Sequence, residues 1–336
     1  MKAVILDAPG QIVIRDVPAP RPAPGRPLIR IRSAGICGSD VNSFLGKGQA
    51  LGLPLTLGHE AAGEVVETVG DSRFRPGDAV IIEPYLYCGS CYPCSRGQRN
   101  CCEHLQCLGV HTDGTMSEYV THPEDLLHRK PEGMPWAYAA FVEPLTIATH
   151  GVHRVQAVAG EHAVVIGAGT IGVLTALYLK HLGVIPILVD ILESRLKAAR
   201  GLGIGHTILS DGSAPVDEVK EITQGRGAET VFEISGSARG VENTVHLASY
   251  TGRISLTGWP SKLPTIETPL ITRRELIIYG SRDSAGEFPE AIELIDSGAI
   301  DAANIITKII GFDELPDEIR RIADDPSDTL KTIALV

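Results

Sequence analysis

His162-Ala163-Val164-Val165-Ile166-Gly167-Ala168-Gly169-Thr170-Ile171-Gly172 joins a short apolar run to G-x-G-x-x-G. The run reads as a buried strand, and Thr170 to Leu182 reads as the helix that the glycines open. A strand, a glycine turn and a helix N-terminus together present unpaired N–H groups and a partial positive charge to a phosphate. Gly167 makes the tight turn, Gly169 lets the backbone approach a pyrophosphate, and Gly172 allows close helix–strand packing. Thr170 and Ile171 complete the candidate cofactor-binding turn. A second strand, Ile185 to Val189, runs into Asp190. An acid there accepts hydrogen bonds from the adenosine ribose hydroxyls and repels a 2′-phosphate, which favours NAD over NADP. Arg195, five residues on, would soften that preference. A bare glycine turn without a nucleotide is the bland alternative, and the strand–turn–helix–strand–acid context argues against it.

Outward from this stretch the pattern repeats. Ser194 to Leu202 reads as a second helix, and strand-like runs recur at Thr230–Ile234, Gly252–Thr257 and Leu276–Gly280. Strands alternating with helices imply an α/β unit with a doubly wound parallel sheet, here over 149–283. Residues 1–148 read differently, as short strands with frequent Gly and Pro. Leu28–Arg32 alternates, Glu64–Val69 does so more loosely, and Pro18–Pro27 reads as an extended edge segment. After a helix over Glu287–Ser297, short β-like pieces lead to Val336, and 284–336 is expected to return to the first domain.

The chain has 336 residues, with 30 Lys+Arg against 41 Asp+Glu, a formal net charge of −11. That balance argues against a nucleic-acid scaffold. No leader-like apolar stretch opens the chain, and the uncharged run Ala163–Leu179 is short for a membrane helix and broken by glycines. A cytoplasmic protein is expected, with no membrane or nucleic-acid partner.

Six of the seven cysteines fall between Cys88 and Cys107, which suggests metal before disulfide. Cys88-x2-Cys91-x2-Cys94 sets three thiolates on one loop, and a closed tetrahedral zinc site needs a fourth, from Cys101 or Cys102. A second set is dispersed: Cys37, Gly58-His59-Glu60 and Glu143. Ligands so separated suit a catalytic site with an open position, although a lone Cys37 or His59 is more often a core residue.

Taken together, Gly35-Ile36-Cys37-Gly38-Ser39-Asp40, Gly58-His59-Glu60-Ala61-Ala62-Gly63, the cysteine loop, Val142-Glu143-Pro144-Leu145 and Gly167 to Gly172 resemble, in order, the motifs of the zinc-dependent medium-chain dehydrogenases. The resemblance is to the sorbitol/polyol, sugar-acid and threonine dehydrogenase branch. It implies a GroES-like β-rich catalytic domain and a Rossmann domain. It implies two Zn²⁺ per chain, one catalytic and one structural. Cys37 and His59 would be catalytic ligands, Glu60 a ligand exchangeable with water, and Glu143 a ligand or its neighbour. Cys88, Cys91, Cys94 and Cys102 would hold the structural zinc. Asp40 would hydrogen-bond the His59 ring nitrogen opposite the metal.

The same resemblance implies hydride transfer from a secondary alcohol of a polyol, sugar or sugar acid to NAD. Ser39 would accept the hydroxyl proton. Many relatives carry a histidine five residues after the zinc cysteine, and this chain has Asn42, which does not titrate near neutral pH. Arg282 is a candidate for pairing a substrate carboxylate or phosphate. Rival readings are a threonine dehydrogenase, a sugar-phosphate dehydrogenase, or a non-catalytic NAD-binding regulator, which would be expected to have lost Cys37, His59 or Glu60. The partner is a small-molecule alcohol, and the family implies a homo-dimer or homo-tetramer, often through the edge strand Leu276–Gly280.

Overall fold

A computed structural model describes residues 1–47 and 52–336. The chain forms two compact units, Met1–Glu143 with Ala285–Val336, and Pro144–Ser284.

The first unit is built on antiparallel pairing. Its larger sheet runs Leu127–Arg129, Ala79–Ile82, Glu60–Glu67, Leu28–Ile36, Lys331–Leu335 and Ile306–Gly311, with Tyr119–Thr121 also on Leu28–Ile36. A smaller sheet joins Gln11–Asp16, Lys2–Ala8 and Leu55–Thr56. Alternation in Leu28–Ile36 sends Ile29 and Ile31 into a core with Val4, Leu6, Val65, Val80 and Ile82. The C-terminal strand lies inside this sheet, between Leu28–Ile36 and Ile306–Gly311, with Thr332 opposite Ile36 and Leu335 opposite Ser33. That register brings Lys331, from the last residues of the chain, beside the segment that carries Cys37.

Two expectations for this unit change. The β-like tail contains a helix, Leu315–Asp324, as well as strands. Leu315 and Ile319 on its inner face are fully buried, and Pro316 sits in the first turn, where its missing N–H costs nothing. Pro18–Pro27 joins no sheet and makes only the bridge between Ala23 and Arg26.

The second unit is a parallel six-stranded sheet in the order His206–Leu209, Ile185–Asp190, His162–Ile166, Ala228–Glu233, Ala248–Leu256, Ile277–Gly280. The order reverses at His162–Ile166, the switch point beside which doubly wound folds bind ligands, at the carboxyl ends of the strands. Val164, Ile166, Ile187, Val189, Val231 and Ile254 fill its core from near-continuous apolar strands, as a sheet covered on both faces requires. No helix among the described residues is long and apolar enough to cross a membrane.

Candidate functional site

In the first unit, Cys37 caps the helix Gly38–Phe44, and His59 and Glu60 stand at the start of the strand Glu60–Glu67. Gly35 and Glu60 are register partners on adjacent strands. A side chain at 35 would collide with Glu60 Oε2, so the glycine gives that carboxylate its place. Ligand atoms of Cys37, His59 and Glu60 all lie within 4.8 Å of one another, with His59 and Glu60 buried.

Asp40 does not hold the His59 ring directly. Its carboxylate accepts from the Cys37 N–H at 2.9 Å and the Gly58 N–H at 3.3 Å, and His59 Nδ1 lies 3.9 Å away without a hydrogen-bond partner. The buried acid therefore ties together the backbones of the two segments that carry Cys37 and His59. Burial raises its pKa, opposed by His59 and the Cys37 amide.

Sequence reasoning missed Lys331. Its buried ammonium donates to Glu60 Oε1 at 2.6 Å and to the Ile36 carbonyl at 2.9 Å, and lies 2.5 Å from Glu60 Oε2. Burial lowers the lysine pKa, but Glu60 and Cys37 outweigh it and the net shift is upward. A pair separated by 271 positions leaves no local signal. The hint was a lysine opening the mostly apolar strand Lys331–Leu335.

Glu143 falls outside the 4.8 Å group. It is buried in the first turn of the helix Val142–Val155 and accepts a hydrogen bond from the Tyr85 hydroxyl. Burial pushes its carboxyl up to about 7, with His59 opposing and Glu60 adding to the rise. Ser39 Oγ is buried without a partner, while Asn42 is exposed on the same helix.

The donor set fits a metal. Thiolate, imidazole and carboxylate around one point are the donors of a catalytic zinc site, three protein ligands where a closed site has four. The cysteine loop fits a closed one. Cys88, Cys91, Cys94 and Cys102 converge within 4.8 Å, and Cys101 is exposed outside the group. The N–H groups of Cys88 and His104 point at Cys102 Sγ at 3.3 Å, and that of Cys91 at Cys88 Sγ at 3.4 Å. Amides aimed at sulfur favour the thiolate. They bring the Cys88 pKa down to about 6, with the Ser90 and Cys91 amides leading.

In the second unit, Gly167 has φ +105°, and a side chain there would press on Ser235. A side chain at Gly172 would strike the Gly167 carbonyl, whereas Gly169 faces open space. Gly169 also caps the helix Thr170–His181, with no side-chain hydrogen bond at the cap. Asp190 Oδ2 accepts from the Ala168 N–H at 2.6 Å, and Oδ1 from the Leu192 N–H at 2.8 Å. The acid thus braces the turn and keeps lone pairs for a ribose. Arg195 lies 3.8 Å from Oδ2. Arg282 is over a third exposed, with its Nε 3.4 Å from Asp283.

Residues 23–132 match the family model of the alcohol dehydrogenase GroES-like domain, and 170–297 that of the zinc-binding dehydrogenases. A zinc-type alcohol dehydrogenase-like protein of Haemophilus influenzae is 47% identical, covering 100% of this chain and 98% of its own. Sorbitol dehydrogenase of Bacillus subtilis is 30% identical over 99% and 96%. Two solved structures superpose over the full chain. One is an alcohol dehydrogenase from E. coli complexed with NADH (TM-score 0.93, 31% identity, 99% of that chain). The other is a zinc-binding dehydrogenase from Sinorhizobium meliloti bound to NADP (TM-score 0.92, 30% identity, 99% of that chain). The chain belongs to the zinc-dependent medium-chain dehydrogenase family, with its GroES-like and Rossmann-type domains.

Proposed function

We propose that this member of the family oxidises a secondary alcohol of a polyol, sugar or sugar acid, with NAD as hydride acceptor and two zinc ions per chain. The observation that carries the reading is the convergence of Cys37 with the buried His59 and Glu60. Carboxylates at 60 and 143, with no cysteine as third ligand, favour a polyhydroxylated substrate over a simple alcohol, and the sorbitol-oxidising relative points the same way.

Cys37, His59 and Glu60 would hold the catalytic ion, with Glu143 beside them, and Cys88, Cys91, Cys94 and Cys102 the structural one. When bound, the zinc supplies Lewis acidity that makes a hydroxyl easier to deprotonate, and the nicotinamide supplies the hydride acceptor. The chain's own residues do the rest. Ser39 Oγ, buried and unpartnered, accepts the hydroxyl proton as it gives its own proton outward to water. Asn42, one helical turn further on, orients water with its amide but cannot store the proton. Gly167 to Gly172 seat the pyrophosphate, and Asp190 reads the ribose and disfavours a 2′-phosphate. The test is an NADH-formation screen on purified protein with polyols, aldonates, sugar phosphates and threonine. Turnover of the first two groups is expected. Turnover of threonine or a sugar phosphate alone would move the assignment within the family, and none at all would favour a regulator.

A further inference from the structure

The Tyr85 hydroxyl donates to Glu143 Oε1, and both side chains are buried. Tyr85 lies on the two-residue strand Tyr85–Leu86, paired with Gln106–Cys107, with Tyr85 opposite Cys107. The neighbouring Pro84 carbonyl accepts from the Leu108 N–H at 3.1 Å. The phenol is therefore mounted on a backbone pinned on both sides, three residues before Cys88 of the cysteine group. Glu143 lies close enough to His59 and Glu60 to share their field.

We propose that Tyr85 is a positioning residue for the catalytic metal: its O–H commits one oxygen of Glu143 and so fixes how that carboxylate faces the ion. The proposal rests on the reading of Cys37 and His59 as ligands. A carboxylate beside a cation can rotate, binding through either oxygen or both. A rigid donor on Oε1 removes that freedom. Partners of this kind, one step out from a metal, orient the groups nearest it and set its affinity, and their loss costs 10- to 100-fold. A buried tyrosine usually finds some partner for its hydroxyl. What singles Tyr85 out is its acceptor: of the carboxylates around the metal-ligand group, Glu60 is held by Lys331 and Asp40 by the Cys37 and Gly58 amides, while Glu143 takes the Tyr85 hydroxyl.

The experiment uses full-length protein with Co²⁺ exchanged into the catalytic site and Zn²⁺ kept in the cysteine group, so that the bands report the catalytic ion alone. Chelator competition reads the affinity of the catalytic ion, and the visible ligand-field bands read its geometry, for wild type, Tyr85→Phe, Glu143→Ala and the double variant. Tyr85→Phe keeps the ring volume, and thermal unfolding reports folding independently. Expected is a change in catalytic-site affinity of about tenfold or more with shifted bands. The same change should vanish when Glu143 is already Ala, which leaves the phenol no acceptor at that position. An unaltered spectrum and affinity in Tyr85→Phe overturns the proposal, as does an equal effect in both Glu143 backgrounds. Cys37→Ser is the control. If it leaves the thiolate-to-cobalt band of the wild type intact, the ligand reading itself fails, and the proposal with it.

Discussion

Lys331 and Glu60 illustrate how one residue sets the terms for its neighbours. A carboxylate and an ammonium are both buried at the metal-ligand group, each the other's principal counter-charge. Removing one member of such a pair leaves a charge stranded in the interior, at a cost of about 3–5 kcal/mol. Lys331→Met should therefore lower the thermal midpoint of metal-free protein sharply. Adding Glu60→Gln should recover most of the loss, because no charge is then stranded. Zn²⁺ should lessen the defect of the single variant, since a dication can take over the Glu60 charge. Equal losses in the single and double variants would show that packing, not charge, is what Lys331 contributes. Asp190 sets a different term. A 2′-phosphate beside its carboxylate is a like-charge contact costing on the order of a few kcal/mol, so kcat/KM should favour NAD over NADP. Asp190→Asn should narrow the gap while preserving an acceptor for the Ala168 N–H, which Asp190→Ala would lose. Equal use of both cofactors by wild type contradicts the assignment, and Arg195 would then be the residue to examine.

The helix Leu315–Asp324 shows what an element needs beyond its apolar pattern. Leu315 and Ile319 face the core, and Glu318 between them is also buried. Its carboxylate accepts from Arg321 at 2.8 and 3.0 Å, Lys308 at 2.5 Å and Thr332 Oγ1 at 3.1 Å. These donors, Arg321 first, bring its pKa down to about 2. A folded-state pKa below the unfolded value means stability that is fully present above about pH 4.5 and is lost as pH falls toward 2. The contribution is on the order of 2–3 kcal/mol, discounted because Lys308 and Arg321 are partly exposed. Glu318→Gln should therefore lower the urea midpoint at pH 7 and flatten its decline between pH 4.5 and 3; an unchanged slope would assign the acid sensitivity elsewhere. The sequence announced this helix only faintly. Leu315, Ile319 and Ile322 carry the i, i+4, i+7 spacing, but β-rich flanks masked it. His206–Leu209 was missed for another reason, being a short edge strand with two of its four residues exposed. The glycine turn was legible because its spacing is local and each glycine has a steric task. Asp40's grip on two backbones, Lys331 on Glu60 and Tyr85 on Glu143 were not, because each depends on register between distant segments.

At the scale of the whole molecule the two units divide the chemistry, and metal content can be tied to each function separately. The group Cys37, His59, Glu60 lies in one unit, and Gly167–Gly172 with Asp190 in the other. Within the first unit the cysteine loop forms a second, chemically distinct group. Four cysteine sulfurs leave no position for a substrate, whereas the mixed donors around Cys37 do. Metal analysis of carefully prepared protein should therefore give two zinc ions per chain. Cys91→Ser should remove one of them and lower thermal stability. A four-residue helix and short 3₁₀ turn there have little core of their own, with none of Tyr92–Ser95 buried, so a metal held by the four cysteines would supply what packing does not. Cys37→Ser should remove the other ion and abolish turnover with little loss of stability, since the surrounding sheet is fully packed. Quenching of protein fluorescence by NADH should report near-normal dinucleotide affinity in both variants, because neither residue lies in the unit that carries Gly167–Gly172 and Asp190. A wild-type content of one zinc would sink the two-site reading. A collapse of NADH affinity in Cys37→Ser would show instead that the two units do not bind their ligands independently.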